Sequence, residues 1–317
     1  MVPMGGMLLV SEGVEARWAR ELDAAAPDRE RWVQRPGGEP PDSSPIELIY
    51  FSWDVYPEHS REFAVAALKS DALRWLHTFS AGVDDPFFRT LIERGVLLTN
   101  SAGAQAVPIA QTVILYLLAL SRDLPGWLED QRLQRWNPRE IRDLQGQHMV
   151  ILGLGPIGQA VARLGLALGM RVTGLRRSPR GDEICPTRPV GELLKVLPDA
   201  DALVVAVPLT PETRHLIDRR ALDCIKAGSL LVNIARGEVV DEEALIDALR
   251  EGHLAGAGLD VFREEPLPRE SPLWGLRNVL ITPHSSGTNP GNHLRATEIF
   301  LDNLRRYERG ESLLNQV

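Results

Sequence analysis

One stretch constrains this chain more than any other: Val150-Ile151-Leu152-Gly153-Leu154-Gly155-Pro156-Ile157-Gly158, an apolar run ending in glycines spaced G-x-G-x-x-G. A helical pattern, Gln159–Leu168, follows at once. A strand that feeds a helix through such a turn belongs to a parallel α/β sheet, and a lone glycine triplet gains its meaning from that context. Gly153 permits the tight turn, Gly155 lets the backbone approach a pyrophosphate, and Gly158 lets the helix lie close on the strand. Amides at the helix start, at the positive end of its dipole, suit phosphate oxygens. The segment from Gly153 through Pro156 and Ile157 to Gly158 therefore reads as a dinucleotide-binding turn.

The rest of the chain extends the same alternation. Before the turn, Met7–Val10, Ile46–Phe51, Trp75–Phe79 and Val96–Leu98 read as strands, and the proline- and glycine-rich segment Arg35–Pro45 as a loop. After it, His148–Leu152, Arg171–Leu175, Ala202–Val207, Ser229–Ile234, Ala257–Val261 and Val279–Ile281 are six further strand candidates separated by helical patterns, the mark of a doubly wound sheet. At 317 residues the chain is about twice the usual domain size, so two such domains are expected. A last helix covers roughly Asn292–Arg309.

Composition excludes several classes. A net charge of −8 offers no basic field for nucleic acid or an anionic membrane. Two cysteines, Cys185 and Cys224, make no disulfide framework and stand in no metal-ligand spacing, so no metal is expected and a reducing cytoplasm fits. Met7–Val10 lacks the basic flank of a signal peptide, and the longest near-apolar run, Val107–Leu120, is shorter than the ~20 residues a bilayer needs.

An NAD enzyme places an acid ~20 residues after the glycine turn to bind the ribose diol. Here the strand ends Thr173-Gly174-Leu175-Arg176-Arg177-Ser178, with Leu175 at the expected position of the acid and no acid until Asp182. Without a carboxylate to repel it, a 2′-phosphate can be met by two guanidiniums and a hydroxyl. NADP(H) is the expected cofactor, held in part by Arg176, Arg177 and Ser178, with NAD(H) as the alternative.

Three later segments stand at predicted strand ends and carry an arginine, an acid and a histidine: Asn233-Ile234-Ala235-Arg236-Gly237, Leu259-Asp260-Val261-Phe262-Arg263-Glu264-Glu265-Pro266 and Ile281-Thr282-Pro283-His284-Ser285-Ser286-Gly287. Taken singly, each of these polar residues reads as loop solvation or capping. Together with GLGPIG and Val207-Pro208-Leu209-Thr210-Pro211-Glu212-Thr213, in this order and at these intervals, they resemble the D-isomer-specific 2-hydroxyacid dehydrogenase family, from about Leu73 almost to the C-terminus.

The resemblance implies a catalytic triad of Arg236, Glu265 and His284. Arg236 would bind the substrate carboxylate and polarise its carbonyl. His284 would be general acid in reduction and general base in oxidation, a role suited to imidazole near neutrality. Glu265 would orient that imidazole and stabilise its cation. Val207, Pro208, Thr213, Ile234, Ala235, Asp260 and Ser286 would line the cofactor, Asp260 at the nicotinamide carboxamide. Thr78-Phe79-Ser80-Ala81-Gly82-Val83-Asp84 resembles the substrate loop, with Ser80, Ala81 and Gly82 offering amides to a carboxylate and Trp53 forming an apolar wall.

The family architecture implies a flavodoxin-like substrate domain of residues 1–103 and 288–317, interrupted by a Rossmann-type dinucleotide domain of residues 104–287. It also implies an interdomain active site with hinge closure. Ala104–Arg122 and Trp127–Trp136 resemble the family's dimer arm, implying a homodimer. Where many relatives carry Glu-His, this chain has Gln111-Thr112, which alters local contacts. The expected reaction is hydride transfer between NADP(H) and a small 2-oxo or D-2-hydroxy acid of the glyoxylate or hydroxypyruvate kind. A dinucleotide-sensing regulatory or corepressor protein on the same scaffold is the competing reading.

Overall fold

Strands with no polar side to show water need helices on both faces, and both sheets of this protein are built that way. The computed structural model describes residues 6–39, 46–83 and 85–317. It divides into two compact units, residues 1–104 with 289–317, and residues 105–288. Pro40–Pro45, the larger part of the segment read as a loop, and Asp84 of the segment that resembles the substrate loop lie outside the described residues.

The first unit holds strands β1 (Met7–Ser11), β2 (Arg31–Gln34), β3 (Ile46–Phe51), β4 (Trp75–Thr78) and β5 (Leu97–Asn100). They form one parallel sheet in the order β2-β1-β3-β4-β5. Alternate residues serve opposite faces, as strand geometry requires. Leu9, Ile49, Phe51 and Leu76 pack with Phe63, Phe88 and Leu91. Leu8, Val10, Leu48, Tyr50 and Trp75 pack with Leu22 and with Phe300 and Leu304 of the last helix, Gly291–Glu308. Tyr50 stacks on Phe300 with ring centroids 4.1 Å apart.

The second unit holds β6 (His148–Leu152), β7 (Arg171–Arg176), β8 (Thr187–Pro189), β9 (Ala202–Val205), β10 (Ser229–Asn233), β11 (Leu254–Leu259) and β12 (Val279–Ile281). Their order is β12-β11-β10-β9-β6-β7-β8, all parallel, so strand order reverses between β6 and β9. Ligands of open α/β sheets bind at such a reversal, beyond the carboxyl ends of the strands. Met149 and Ile151 face the helices Ala106–Ser121 and Pro156–Ala167, while Val150 and Leu152 face the opposite layer with Leu222, Leu245 and Leu249.

Six strands were read in this unit and seven are present. The short edge strand β8 and, in the first unit, β2 carry mixed polar sequence with no apolar run to betray them. The strand read as Ala257–Val261 runs three residues earlier, from Leu254. No single helix among the described residues is long and apolar enough to cross a membrane.

Candidate active site and cofactor turn

The glycine turn leaves β6 at the strand-order reversal. Gly153 has φ +106°, a conformation costly for any side chain, and a Cβ there would lie 2.5 Å from the Ala206 carbonyl oxygen at the end of β9. A Cβ on Gly158 would lie 1.9 Å from the Gly153 oxygen, so the helix Pro156–Ala167 starts hard against the turn. Gly155 differs: a Cβ there meets nothing within 4 Å. Protein packing thus explains two of the glycines, and the third faces open space beside first-turn amides that have no intrahelical acceptor. That combination fits a dinucleotide pyrophosphate. Across the reversal, Thr213 staples the loop after β9, its hydroxyl donating to the Pro208 carbonyl at 2.6 Å and accepting the Thr210 amide at 2.7 Å.

The end of β7 corrects the register of the sequence reading. Leu175 is wholly buried in the sheet core, so its position cannot present a side chain to a ribose. Arg176, the last residue of the strand, is the next outward one, followed by exposed Arg177 and Ser178. Arg176 is paired: its Nη1 lies 3.2 Å from Glu183 Oε1.

Arg236, Glu265 and His284 come from three loops at the carboxyl ends of β10, β11 and β12. His284 Nδ1 lies 2.7 Å from Glu265 Oε2. The other oxygen, Oε1, accepts the Phe262 amide at 3.0 Å, which fixes the carboxylate from its own loop. Gly237, next to Arg236, packs so closely on that loop that a Cβ would lie 1.9 Å from the Phe262 carbonyl carbon. The arginine turn and the glutamate loop are therefore locked backbone to backbone. Asn233, buried at the end of β10, closes the turn from beneath, accepting the Ala235 amide and donating to the Arg236 carbonyl, both at 3.0 Å. The Arg236 guanidinium donates to the Ala235 carbonyl at 2.7 Å.

Asp260 is 2% exposed, and protein donors engage both carboxylate oxygens. Oδ1 accepts the amides of Ser285 at 2.9 Å and Ser286 at 3.0 Å, together with the Thr282 hydroxyl. Oδ2 accepts the Ser286 amide at 3.1 Å and the Ser286 hydroxyl. The His284 amide donates to the Asp260 carbonyl at 2.8 Å, and His284 itself has φ +49°. A left-handed non-glycine residue at a functional site needs surroundings that over-determine it, and Asp260 supplies them.

Two residues of the helix Ala106–Ser121 complete this frame. Thr112 donates to the Ser286 carbonyl at 3.2 Å, which is what the Gln111-Thr112 departure does here. Tyr116 bonds to Thr282 through its hydroxyl, its ring lying in a notch where a Cβ on Gly258 would strike it at 2.4 Å. Asn233, Thr282 and Tyr116 were not singled out from sequence; an amide or hydroxyl inside an apolar run was the only available signal.

In the first unit, Trp53 stands T-shaped to Phe79 and to His293, with centroids 5.1 and 4.9 Å away. Beyond Phe79, the Ser80 hydroxyl donates to the Gly82 carbonyl at 2.7 Å, and Asn100 holds the Ala81 carbonyl at 2.8 Å. The Ala81 and Gly82 amides donate to no partner among the described residues.

Comparison with known proteins assigns the family. The family model of the D-isomer specific 2-hydroxyacid dehydrogenase NAD binding domain matches residues 114–286. A glyoxylate reductase of Thermococcus gammatolerans is 38% identical over 252 residues, 75% of this chain and 74% of that protein. A D-isomer specific 2-hydroxyacid dehydrogenase family protein from Aeromonas salmonicida superposes with a TM-score of 0.81 at 31% identity, covering 99% of both chains. A D-isomer specific 2-hydroxyacid dehydrogenase from Xanthobacter autotrophicus Py2, solved with NADPH and MES, gives 0.80 at 33% identity over 99% of this chain and 98% of that one. The protein belongs to the D-isomer-specific 2-hydroxyacid dehydrogenase family. It is an NAD(P)-dependent oxidoreductase acting on the CH–OH group of 2-hydroxy acids, which sets the corepressor reading aside.

Proposed function

We propose that this enzyme reduces a small 2-oxo acid of the glyoxylate or hydroxypyruvate kind to the D-2-hydroxy acid, with NADPH preferred over NADH. The observation that carries the reading is the 2.7 Å bond between His284 Nδ1 and Glu265. An ionised carboxylate only accepts, so Nδ1 holds a proton and Nε2 becomes the atom that gives or takes one. When bound, the nicotinamide supplies the hydride or takes it back. His284 Nε2 protonates the oxygen that becomes alkoxide, and Glu265 stabilises the imidazolium before that transfer. Arg236 binds the substrate carboxylate and polarises the carbonyl. In the first unit, Ala81 and Gly82 would offer amides to a substrate carboxylate, Ser80 would shape their loop, and Trp53 would form an apolar wall.

Gly153, Gly155, Pro156, Ile157 and Gly158 would hold the pyrophosphate, while Val207, Pro208, Thr213, Ile234, Ala235 and Ser286 would flank the remainder of the cofactor. Asp260 holds the His284 loop. The NADPH preference rests on the absent acid at the end of β7 and on Arg177 and Ser178, with Arg176 behind them. The Xanthobacter protein, solved with NADPH, supports it.

A steady-state panel of glyoxylate, hydroxypyruvate, phenylpyruvate and branched-chain 2-oxo acids tests the reading. Higher kcat/KM with NADPH than NADH, and loss of most of it in His284→Ala and Arg236→Ala with NADPH binding retained, are expected. Equal efficiency with both cofactors overturns the cofactor preference, and no turnover of glyoxylate or hydroxypyruvate overturns the substrate class.

The quaternary state belongs to the same proposal. Trp127, Leu128, Leu133 and Ile141 are exposed on and after the helix Leu124–Arg132, and Trp136 is 96% exposed. Such a surface suits a second copy of the chain. A homodimer is expected by light scattering, and a monomer at micromolar concentration would remove it. Cys185 and Cys224 are both free thiols, which suits the cytoplasm, where the net charge of −8 favours neither nucleic acid nor a membrane surface.

A further inference from the structure

The segment after β7 contains an ion pair that neither the glycine turn nor the catalytic loops require. Glu183 has a side chain only 5% exposed, and Arg176, seven residues earlier, is 21% exposed. Glu183 Oε1 accepts both the Arg176 guanidinium at 3.2 Å and the Arg180 amide at 2.6 Å, and Oε2 accepts the Gly181 amide at 2.8 Å. Gly181 takes φ +89°, which lets the chain fold back over the carboxylate. The Arg180 amide, then the Gly181 amide and Arg176, hold the Glu183 carboxyl below the usual carboxylate range. One acid thus ties the end of the strand to the far side of the turn. Arg177 and Ser178 lie between the two anchors, and both are exposed.

This changes the charge at the cofactor rim. A guanidinium already neutralised by a nearby carboxylate contributes little field to a second anion, so Arg176 is not equivalent to Arg177. Its contribution is geometric, because charge-assisted bonds of this kind fix direction as well as energy.

We propose that Glu183 is a positioning residue for cofactor choice: by knotting Arg176 to the Arg180 and Gly181 amides, it sets the loop so that Arg177 and Ser178, rather than Arg176, meet the 2′-phosphate of NADP(H). The inference rests on the NADPH preference proposed above. It assigns Arg177 as the direct phosphate ligand and makes Arg176 and Glu183 one coupled strut. Two partners that act only through each other lose the same thing when either is removed.

Calorimetric titration of the full-length protein with NADPH and NADH tests this in wild type, Glu183→Gln, Arg176→Ala, the double variant and Arg177→Ala. Glu183→Gln and Arg176→Ala should each weaken NADPH roughly fivefold to tenfold and NADH less than twofold, with the double variant no worse than either single. Arg177→Ala should weaken NADPH by about fiftyfold or more. Without cofactor, trypsin should cut after Arg177 and Arg180 faster in Glu183→Gln than in wild type. If Glu183→Gln leaves NADPH affinity unchanged or tightens it, or if the two single losses add, Arg176 contacts the phosphate itself and the strut is refuted. Equal wild-type affinities for the two cofactors remove the NADPH reading and the strut with it, whereas a wild-type preference that survives Glu183→Gln removes the strut alone.

Discussion

Asp260 grips Ser286 twice, through an amide shared between its two oxygens at 3.0 and 3.1 Å and through the hydroxyl. The bonded pair spans the peptide that carries His284, so a buried charge sets the backbone of the proposed proton donor. Asp260→Asn keeps the shape but turns an NH2 toward donors that need an acceptor. Hydrogen bonds to charged groups contribute about 1.5–3 kcal/mol each, so a loss of about 2 kcal/mol, roughly thirtyfold in kcat/KM, is expected along with a lowered Tm. Steady-state kinetics of the variant with the best 2-oxo acid checks it; an unchanged kcat/KM would show that the loop holds itself.

Tyr116 extends the same frame in a defined direction. The Thr282 hydroxyl donates its proton to the Asp260 carboxylate, so it must accept from Tyr116. Burial, and then the nearby Asp260 charge, push the Tyr116 hydroxyl up to about 12, so it remains a donor throughout the working range. Tyr116→Phe keeps the ring in the Gly258 notch and removes only the donor. A loss of about 1 kcal/mol, roughly fivefold in kcat, is expected, with cofactor affinity unchanged. A change in NADPH Kd of the same size would instead mean a general loosening of the domain.

The second unit was largely legible because its central strands β6, β9 and β10 are buried along their whole length and are mostly apolar, and because the glycine turn marks the end of its first strand. The two short edge strands escaped for the opposite reason: Arg31–Gln34 and Thr187–Pro189 are half-exposed and polar, and only their neighbours make them strands. Leu175 was read as the ribose position because spacing along a chain does not say which face a strand residue takes. Arg236, Glu265 and His284 were named through their motifs, but the Gly237–Phe262 backbone contact that locks two of their loops together has no sequence signature. Thr282 and Tyr116 act through hydrogen bonds to residues far along the chain, which no local pattern encodes, whereas Asn233 bonds to Ala235 and Arg236 just beyond it and shows only as a polar residue at the end of an apolar run.

The two later glycines of the turn should separate packing from binding. In Gly158→Ala the new methyl meets a backbone oxygen 1.9 Å away that cannot rotate aside, so the helix must lift from the turn. Both Tm and dinucleotide affinity are expected to fall, the latter by about tenfold or more, consistent with about 1–3 kcal/mol for overpacking. In Gly155→Ala the methyl enters space with no protein atom within 4 Å, so Tm should hold while dinucleotide affinity drops. Differential scanning fluorimetry and titration of both variants give the contrast. Wild-type affinity in Gly155→Ala would move the pyrophosphate elsewhere.

His77 makes the first unit sensitive to acid. The imidazole is wholly buried, with Nδ1 2.7 Å from the Thr99 hydroxyl and Nε2 3.0 Å from the Ser101 hydroxyl. Ser101 gives its proton to the Thr78 carbonyl, so Nε2–H donates to Ser101; Trp75 Nε1–H donates to Thr99, whose proton then faces Nδ1. The network is complete only with neutral histidine, and burial lowers the pKa from 6.5 to about 3. Between those values the unfolded chain binds a proton that the folded one refuses. The stabilisation is therefore fully present above the unfolded pKa and declines as pH falls, by about 1.4 kcal/mol per unit, or about 2 kcal/mol by pH 5. His148, whose pKa is also lowered chiefly by burial, adds a slope of the same sign, so the comparison with a variant matters. Urea unfolding followed by tryptophan fluorescence from pH 7.5 to 4.5 should show the stability gap between wild type and His77→Gln narrowing with acid; a gap constant across that range would place the acid sensitivity elsewhere.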